Sequence, residues 1–224
     1  ATVSITAGLT SGDVLSIASG SLLGGATASY NSGTGVLTFT GSTTVSNYQS
    51  MLRAVSFSST SEDPTSQSTT RTVTYSVTDA NASAASNSAQ TTTATSTVTI
   101  TAVNDTPVGT AGGSLAYTEN GAATAIDTTI TLIDVDDTQI VGATVTITSA
   151  LTGDVLGFTG QNDITGIYDA STGVLTLTGT ATLAQYETAL RSVTYRSTSD
   201  DPTVANTRNS RTVTWVVTDA NSDS

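Results

Sequence analysis

Apolar and polar residues alternate along much of the chain with a period of two. Val73, Tyr75 and Val77 are interleaved with Thr72, Thr74, Ser76 and Thr78. Val98, Ile100 and Ala102 are interleaved with Thr97, Thr99 and Thr101. Successive side chains of an extended strand point to opposite faces, so the pattern predicts half-buried strands with threonine on the wet side. Gly-rich punctuation at Ser32-Gly-Thr-Gly35 and Thr172-Gly173 predicts turns. The spacing becomes helical in two places, where Val45, Tyr48, Leu52 and Leu183, Tyr186, Leu190 fall at i, i+3, i+7. Thr182 with Gln185 has the form of a capping box, and Thr44 with Asn47 is a weaker version. Ala82 to Thr97 is almost wholly Ala, Ser, Thr, Asn and Gln. It predicts a long hairpin loop leading into an exposed strand, with Thr91, Thr92 and Thr93 as a solvated run or a glycosylation site.

The pattern occurs twice. Ser32–Gly41 returns in the stretch ending at Gly179, Asn47–Phe57 returns as Gln185–Tyr195, and Thr60–Thr65 returns as Thr198–Thr203. Arg71-Thr-Val-Thr-Tyr-Ser-Val-Thr-Asp-Ala-Asn81 returns as Arg211-Thr-Val-Thr-Trp-Val-Val-Thr-Asp-Ala-Asn221, and Ala1–Ile5 aligns with Ala143–Ile147. Blocks that match in order with small length changes mark an internal repeat. The expected fold is all-β: two tandem sandwiches of the immunoglobulin-like class, each with one short helix among about seven strands. Residues 1–103 form repeat 1, which lacks anything like Gly109–Gly142. Residues 104–224 form repeat 2, which lacks anything like Ser96–Val103. The phase suits a window from a longer tandem array, or sandwiches completed by strands from neighbouring subunits.

The 224 residues carry 6 basic and 18 acidic side chains, a net charge of −12, with no Lys, His or Cys. Eighty residues, 50 Thr and 30 Ser, bear an aliphatic hydroxyl. Disulfides, thiolate zinc sites, His-dependent triads, Schiff-base lysines and Lys–Asn isopeptide bonds are therefore all excluded. The charge disfavours nucleic acid, and no stretch approaches the length of a membrane span. No signal peptide is visible ahead of Ala1, which is expected of a mature form or an excised piece. Asp outnumbers Glu by 15 to 3, and short carboxylates of that kind suit Ca²⁺. The acid is concentrated: residues 1–103 carry a net −2 and residues 104–224 a net −10. Between Asn104 and Val141 stand Asp105, Glu119, Asp127, Asp134, Asp136 and Asp137 without a base.

At these residues the chain resembles cadherin repeats. Val98-Thr-Ile-Thr-Ala-Val-Asn-Asp-Thr-Pro107 looks like a last strand running into an Asn-Asp…Pro linker. Tyr117-Thr-Glu-Asn120, Asp134-Val-Asp136 and Val217-Thr-Asp219 look like the acidic first strand, the Asp-x-Asp loop and the late-hairpin Asp of the next repeat. The likeness is nearest to the bacterial cadherin-like repeats of large surface and adhesin proteins, and it implies Greek-key topology. It also implies Ca²⁺ held by Asn104, Asp105, Asp134, Asp136 and Asp219, with Glu62 and Asp63 from the preceding repeat. The pattern departs at Ala102, where the family has an Asp, at Thr106, where it has a second Asn, and at Glu62-Asp63-Pro64, which replaces Asp-Arg-Glu. Fewer ions or weaker binding follow.

Simpler readings stand beside these. Glu62-Asp63-Pro64 and Asp200-Asp201-Pro202 also read as turns, paired across the turn with Arg71 or Arg211. Asp79 and Asp219 also read as hairpin caps, and Glu119 as a turn residue. Ten of the eleven aromatics fall at positions apolar in both repeats, as a packed core requires. An enzyme would have to work with carboxylates alone. The expected role is thus a non-enzymatic, extracellular or cell-surface stalk or adhesin segment of a secreted bacterial surface protein, stiffened by Ca²⁺. Its expected partners are adjacent repeats or other copies of itself. The rivals are a filament or surface-layer subunit completed by strand exchange, and a binding domain for glycan or another cell-surface ligand.

Overall fold

The computed structural model describes residues 1–79 and 89–220. The chain divides into two compact units, Ala1–Val103 and Asn104–Ser224. Both are built mainly from antiparallel sheet, an all-β sandwich architecture with one α-helix per unit among the described residues.

Unit 1 contains β1 (Thr2–Ala7), β2 (Asp13–Ser16), β3 (Thr27–Asn31), β4 (Val36–Thr40), α1 (Val45–Arg53), β5 (Ser56–Ser59), β6 (Thr70–Thr78) and β7 (Thr91–Thr99). One sheet runs β3-β4-β1-β6-β7, and β2 pairs with β5. Val3, Ile5, Leu15, Leu37, Phe39, Met51 and Val73 form the buried core. β7 is exposed at nearly every residue, as its composition predicts. The loop expected before it falls largely outside the described residues.

Unit 2 contains β8 (Val108–Thr110), β9 (Thr124–Ala125), β10 (Thr131–Ile133), β11 (Gln139–Ile147), β12 (Asp154–Gly157), β13 (Thr165–Asp169), β14 (Val174–Thr182), α2 (Leu183–Arg191), β15 (Thr194–Ser197) and β16 (Val213–Asp219). Its main sheet runs β13-β14-β11-β16, a second runs β12-β15-β9, and β8 pairs with β10. The registers of the two units coincide. Val3 lies opposite Leu37 and Tyr75 in unit 1, and Val145 lies opposite Leu175 and Trp215 in unit 2. The helices differ as their caps predict. Thr44 accepts only the Asn47 N–H at the head of α1, whereas Thr182 and Gln185 form the full reciprocal box on α2. α1 buries Met51, whereas α2 buries Tyr186, Ala189 and Leu190.

The arginines do not pair with the acids of the Asp-Pro turns. Arg71 Nε donates to Asp13 Oδ2 at 2.5 Å, and Arg211 Nε donates to Asp154 Oδ2 at 2.5 Å. Their Nη2 groups bond the turn carbonyls of Pro64 and Pro202 instead. Asp13 and Asp154 open β2 and β12, and both are buried. An ion removed from water needs a counter-ion with its remaining donors satisfied, and the guanidinium fork supplies that while also closing the turn. Tyr195 adds a further bond, from its hydroxyl to Asp154 Oδ1 at 2.6 Å. Phe57, its counterpart in unit 1, has no hydroxyl.

Candidate metal centre

The segment between β10 and β11 folds around Asp134. Its Oδ1 accepts the backbone N–H groups of Asp136, at 3.2 Å, and Asp137, at 3.0 Å. An Asp side chain that bonds the backbone two and three residues ahead curls the chain into a tight loop. The curl gathers three carboxylates: one oxygen from each of Asp134, Asp136 and Asp137 lies within 4.8 Å of the others. Asp134 Oδ2 and Asp136 Oδ1 are buried and accept no hydrogen bond. Asp136 Oδ2 accepts the N–H of Asp105 at 3.2 Å. Burial pushes the Asp136 carboxyl above its ordinary range, and the neighbouring charges of Asp134 and Asp105 add to the effect.

The beginning of unit 2 is tied to this loop and to the end of β16. Asn104 Nδ2 donates to the Asp105 carbonyl and to Asp219 Oδ2, both at 3.1 Å. Asp219 is buried. Five of the residues singled out in the sequence, Asn104, Asp105, Asp134, Asp136 and Asp219, are thus joined within one unit, along with Asp137.

A hard divalent cation prefers six to eight oxygen ligands from carboxylates and carbonyls. Two buried carboxylate oxygens without donors, with a third carboxylate in range, fit that demand. Unbonded buried anions repel one another, and a cation among them removes both penalties at once. The donor set fits Ca²⁺ better than a softer metal, because it offers no nitrogen or sulfur.

Glu62 and Asp63 belong to unit 1 and lie in the turn between β5 and β6. Ser66 Oγ donates to the Asp63 carbonyl at 3.0 Å, and Glu62 is exposed. Among the described residues, the group of three or more carboxylates close enough to share an ion is Asp134, Asp136 and Asp137. Asp79 caps a hairpin: its N–H bonds the Gln90 carbonyl, and its Oδ1 accepts the Gln90 N–H. Glu119 lies in a turn closed by Gly121 N–H to Thr118 O at 2.9 Å. Glu187 links α2 to β10 by accepting the Leu132 N–H at 2.7 Å.

Three structural carboxylates escape the sequence patterns. Asp13 and Asp154 stand in a repeated Gly-Asp-Val-Leu block that gives the only signal for them. Asp127 has no counterpart in unit 1. Its Oδ2 accepts the N–H groups of Gly112 and Gly113, and its Oδ1 accepts the N–H and hydroxyl of Thr129. Burial opposes its ionisation, but these four bonds outweigh burial and hold the carboxyl at about 2. With both oxygens engaged, Asp127 serves the fold rather than an ion.

No family model matches the chain, and no solved structure resembles it closely enough to count as a match. Halomucin of Haloquadratum walsbyi (strain DSM 16790 / HBSQ001) is 40% identical over 91 residues. That alignment covers 38% of this chain and 1% of halomucin, so the chain spans a very small part of the relative it matches.

Proposed function

We propose that this chain is a structural, non-enzymatic module of a large extracellular or cell-surface protein, and that Ca²⁺ bound at Asp134, Asp136 and Asp137 stiffens it. The observation that carries the metal is the pair of buried carboxylate oxygens without donors, Asp134 Oδ2 and Asp136 Oδ1. The tie from Asn104 and Asp105 to the same cluster carries the stiffening. A cation there fixes the opening residues of unit 2 to its loop and to Asp219, so the chain leaving Val103 loses freedom when the ion binds. The internal repeat and the similarity to a small part of halomucin support membership of a long surface protein. Among the described residues, no helix is long and apolar enough to cross a membrane.

The test uses the sole tryptophan, Trp215, which reports unit 2. At free Ca²⁺ near ten times Kd, one site contributes about 1.4 kcal/mol. Thermal melts followed by Trp215 emission are expected to rise with Ca²⁺ and fall with chelator. The double variant Asp134→Asn, Asp136→Asn is expected to lose the response. Identical melts with Ca²⁺ and with excess chelator overturn the proposal.

A further inference from the structure

The Asp-Pro turn occurs in each unit, and the two copies are held differently. Glu62-Asp63-Pro64 lies between β5 and β6, and Asp200-Asp201-Pro202 lies between β15 and β16. In both, an arginine Nη2 bonds the proline carbonyl, from Arg71 to Pro64 and from Arg211 to Pro202. The segment after each proline is thereby fastened to an Arg–Asp ion pair. The aspartates before the prolines differ. Both Asp201 carboxylate oxygens accept the Ala205 N–H, at 3.0 and 2.8 Å, and Oδ1 also accepts the Thr203 hydroxyl at 3.2 Å. Among the described residues, nothing donates to the Asp63 carboxylate. The carbonyls differ too. The Asp63 carbonyl accepts the Ser66 hydroxyl at 3.0 Å, whereas the Asp201 carbonyl accepts the Val204 N–H at 3.4 Å. Ser66 stands where unit 2 has Val204, which has no hydroxyl.

Proline has no N–H, so the nitrogen after Asp63 cannot close on the side chain to form a succinimide. The carboxylate can instead turn back on its own backbone carbonyl carbon. Nucleophile and target belong to one residue, so their effective concentration is high. Two things then limit the reaction: whether the carboxylate is free to turn, and whether a donor meets the charge that develops on the carbonyl oxygen. Asp63 meets both conditions. Asp201 fails the first and meets the second with a longer bond.

We propose that the Asp63–Pro64 peptide bond is a self-cleavage site, with Asp63 as the nucleophile and Ser66 Oγ as the donor to the oxyanion. An Asp63 carboxylate oxygen bonds to the Asp63 carbonyl carbon, and the C–N bond to Pro64 breaks. Its electron pair goes to the Pro64 nitrogen, which takes a proton from solvent and leaves as a secondary amine. The product at Asp63 is a cyclic anhydride. A water molecule opens it, restoring the side-chain carboxylate and leaving a new α-carboxylate. The sum is hydrolysis of a peptide bond by water. It happens once, on the protein's own chain, so the module is still not an enzyme. The cut separates β1–β5 from β6, yet β1 pairs with β6 and Arg71 bonds Asp13 across it. A chain cut here keeps its fold at rest and parts under tension.

The experiment holds the purified protein at about pH 5, where ordinary aspartates are still ionised, and follows intact mass and terminal sequence. Fragments 1–63 and 64–224 are expected, the second beginning at Pro64. The Asp201–Pro202 bond is expected to be cut at least roughly tenfold more slowly, because its carboxylate must first leave its donors. Under native conditions the two pieces are expected to run together, heavier than the parent by one water. Asp63→Ala is expected to stop the reaction with an unchanged melt. Ser66→Ala is expected to slow it by about tenfold, less than loss of a water-excluded donor would, and Ser66→Thr to restore it. Equal cutting of the two Asp-Pro bonds overturns the proposal in favour of ordinary acid lability. Cutting that persists in Asp63→Ala overturns it in favour of a contaminating protease. A chain that stays whole overturns it outright, and an unchanged rate in Ser66→Ala overturns the assignment of the donor. The reaction uses no metal, so the Ca²⁺ proposal stands or fails separately.

Discussion

The buried pair Arg71–Asp13 and its copy Arg211–Asp154 use the same atoms at the same distance, yet they inhabit different surroundings. In unit 1 both side chains are fully excluded from solvent, whereas the Arg211 side chain retains 11% exposure. Unit 1 covers its arginine with β7. Among the described residues no strand pairs with the outer edge of β16, and unit 2 gives its aspartate an additional donor, Tyr195. A buried pair is only weak evidence for stability, but breaking one is costly because the remaining charge is stranded. The pair with less water around it therefore has more to lose.

The largest test of this contrast is Arg71→Ala. Removing the guanidinium leaves Asp13 buried and uncompensated, and the expected loss is about 3–5 kcal/mol. Arg211→Ala is expected to cost clearly less, because water reaches the vacated position. Urea unfolding, followed by hydrogen exchange in unit 1 and by Trp215 emission in unit 2, measures both. Equal losses would break the comparison.

Next in size is Tyr195→Phe, which makes unit 2 resemble unit 1 at this position. It removes one bond to an ionised carboxylate and is expected to cost about 1.5–3 kcal/mol, seen as a lower urea midpoint for the Trp215 transition.

Acid sharpens the contrast further. Asp127, held at about 2 in the folded protein, belongs to unit 2 alone. A carboxyl depressed on folding stabilises above its unfolded pKa. That contribution is lost as pH falls from about 4 through about 2. Asp154 moves in the same direction: burial opposes its ionisation, but Arg211 and the other donors outweigh it. The Trp215 transition is therefore expected to weaken steeply across this window, and Asp127→Asn is expected to flatten the response. An Asp127→Asn protein with the parent's acid profile would refute this assignment.

The smallest effect concerns the helices. Thr182→Ala removes a complete capping box, and its expected cost is about 1 kcal/mol. Thr44→Ala removes a single bond and is expected to cost less. Thermal melts of the two variants rank them.

The fold was legible wherever local pattern and repetition agreed. Alternation around Val73 marked β6, alternation around Val98 caught only the end of β7, which stops at Thr99 and not at Ala102, and the i, i+3, i+7 spacing marked both helices. The strength of each cap could be read from Gln185 against Asn47. The carboxylates were harder. Asp13 sits one residue after a turn glycine, where a solvated turn residue is the ordinary expectation. Its burial depends on Arg71, 58 residues away. Asp127 likewise depends on the backbone of Gly112 and Gly113, which no side-chain pattern announces. Asn104, Asp105, Asp134, Asp136 and Asp219 were grouped only through a family resemblance. Periodicity fixes which face a residue takes, but not which distant loop closes over it.

The hydroxyl surface has a consequence for ionic strength. Thr6 with Thr74, Thr27 with Thr40, Thr78 with Thr91, and Thr165 with Thr178 meet as neutral hydroxyl pairs across neighbouring strands. Among the described residues there are three ion pairs, and two of them lie out of reach of mobile ions. Dissolved salt therefore has almost no attraction to screen on this surface. What it does screen is the mutual repulsion of a chain at −12. Concentrated brine, which loosens proteins held by surface ion pairs, should tighten this one.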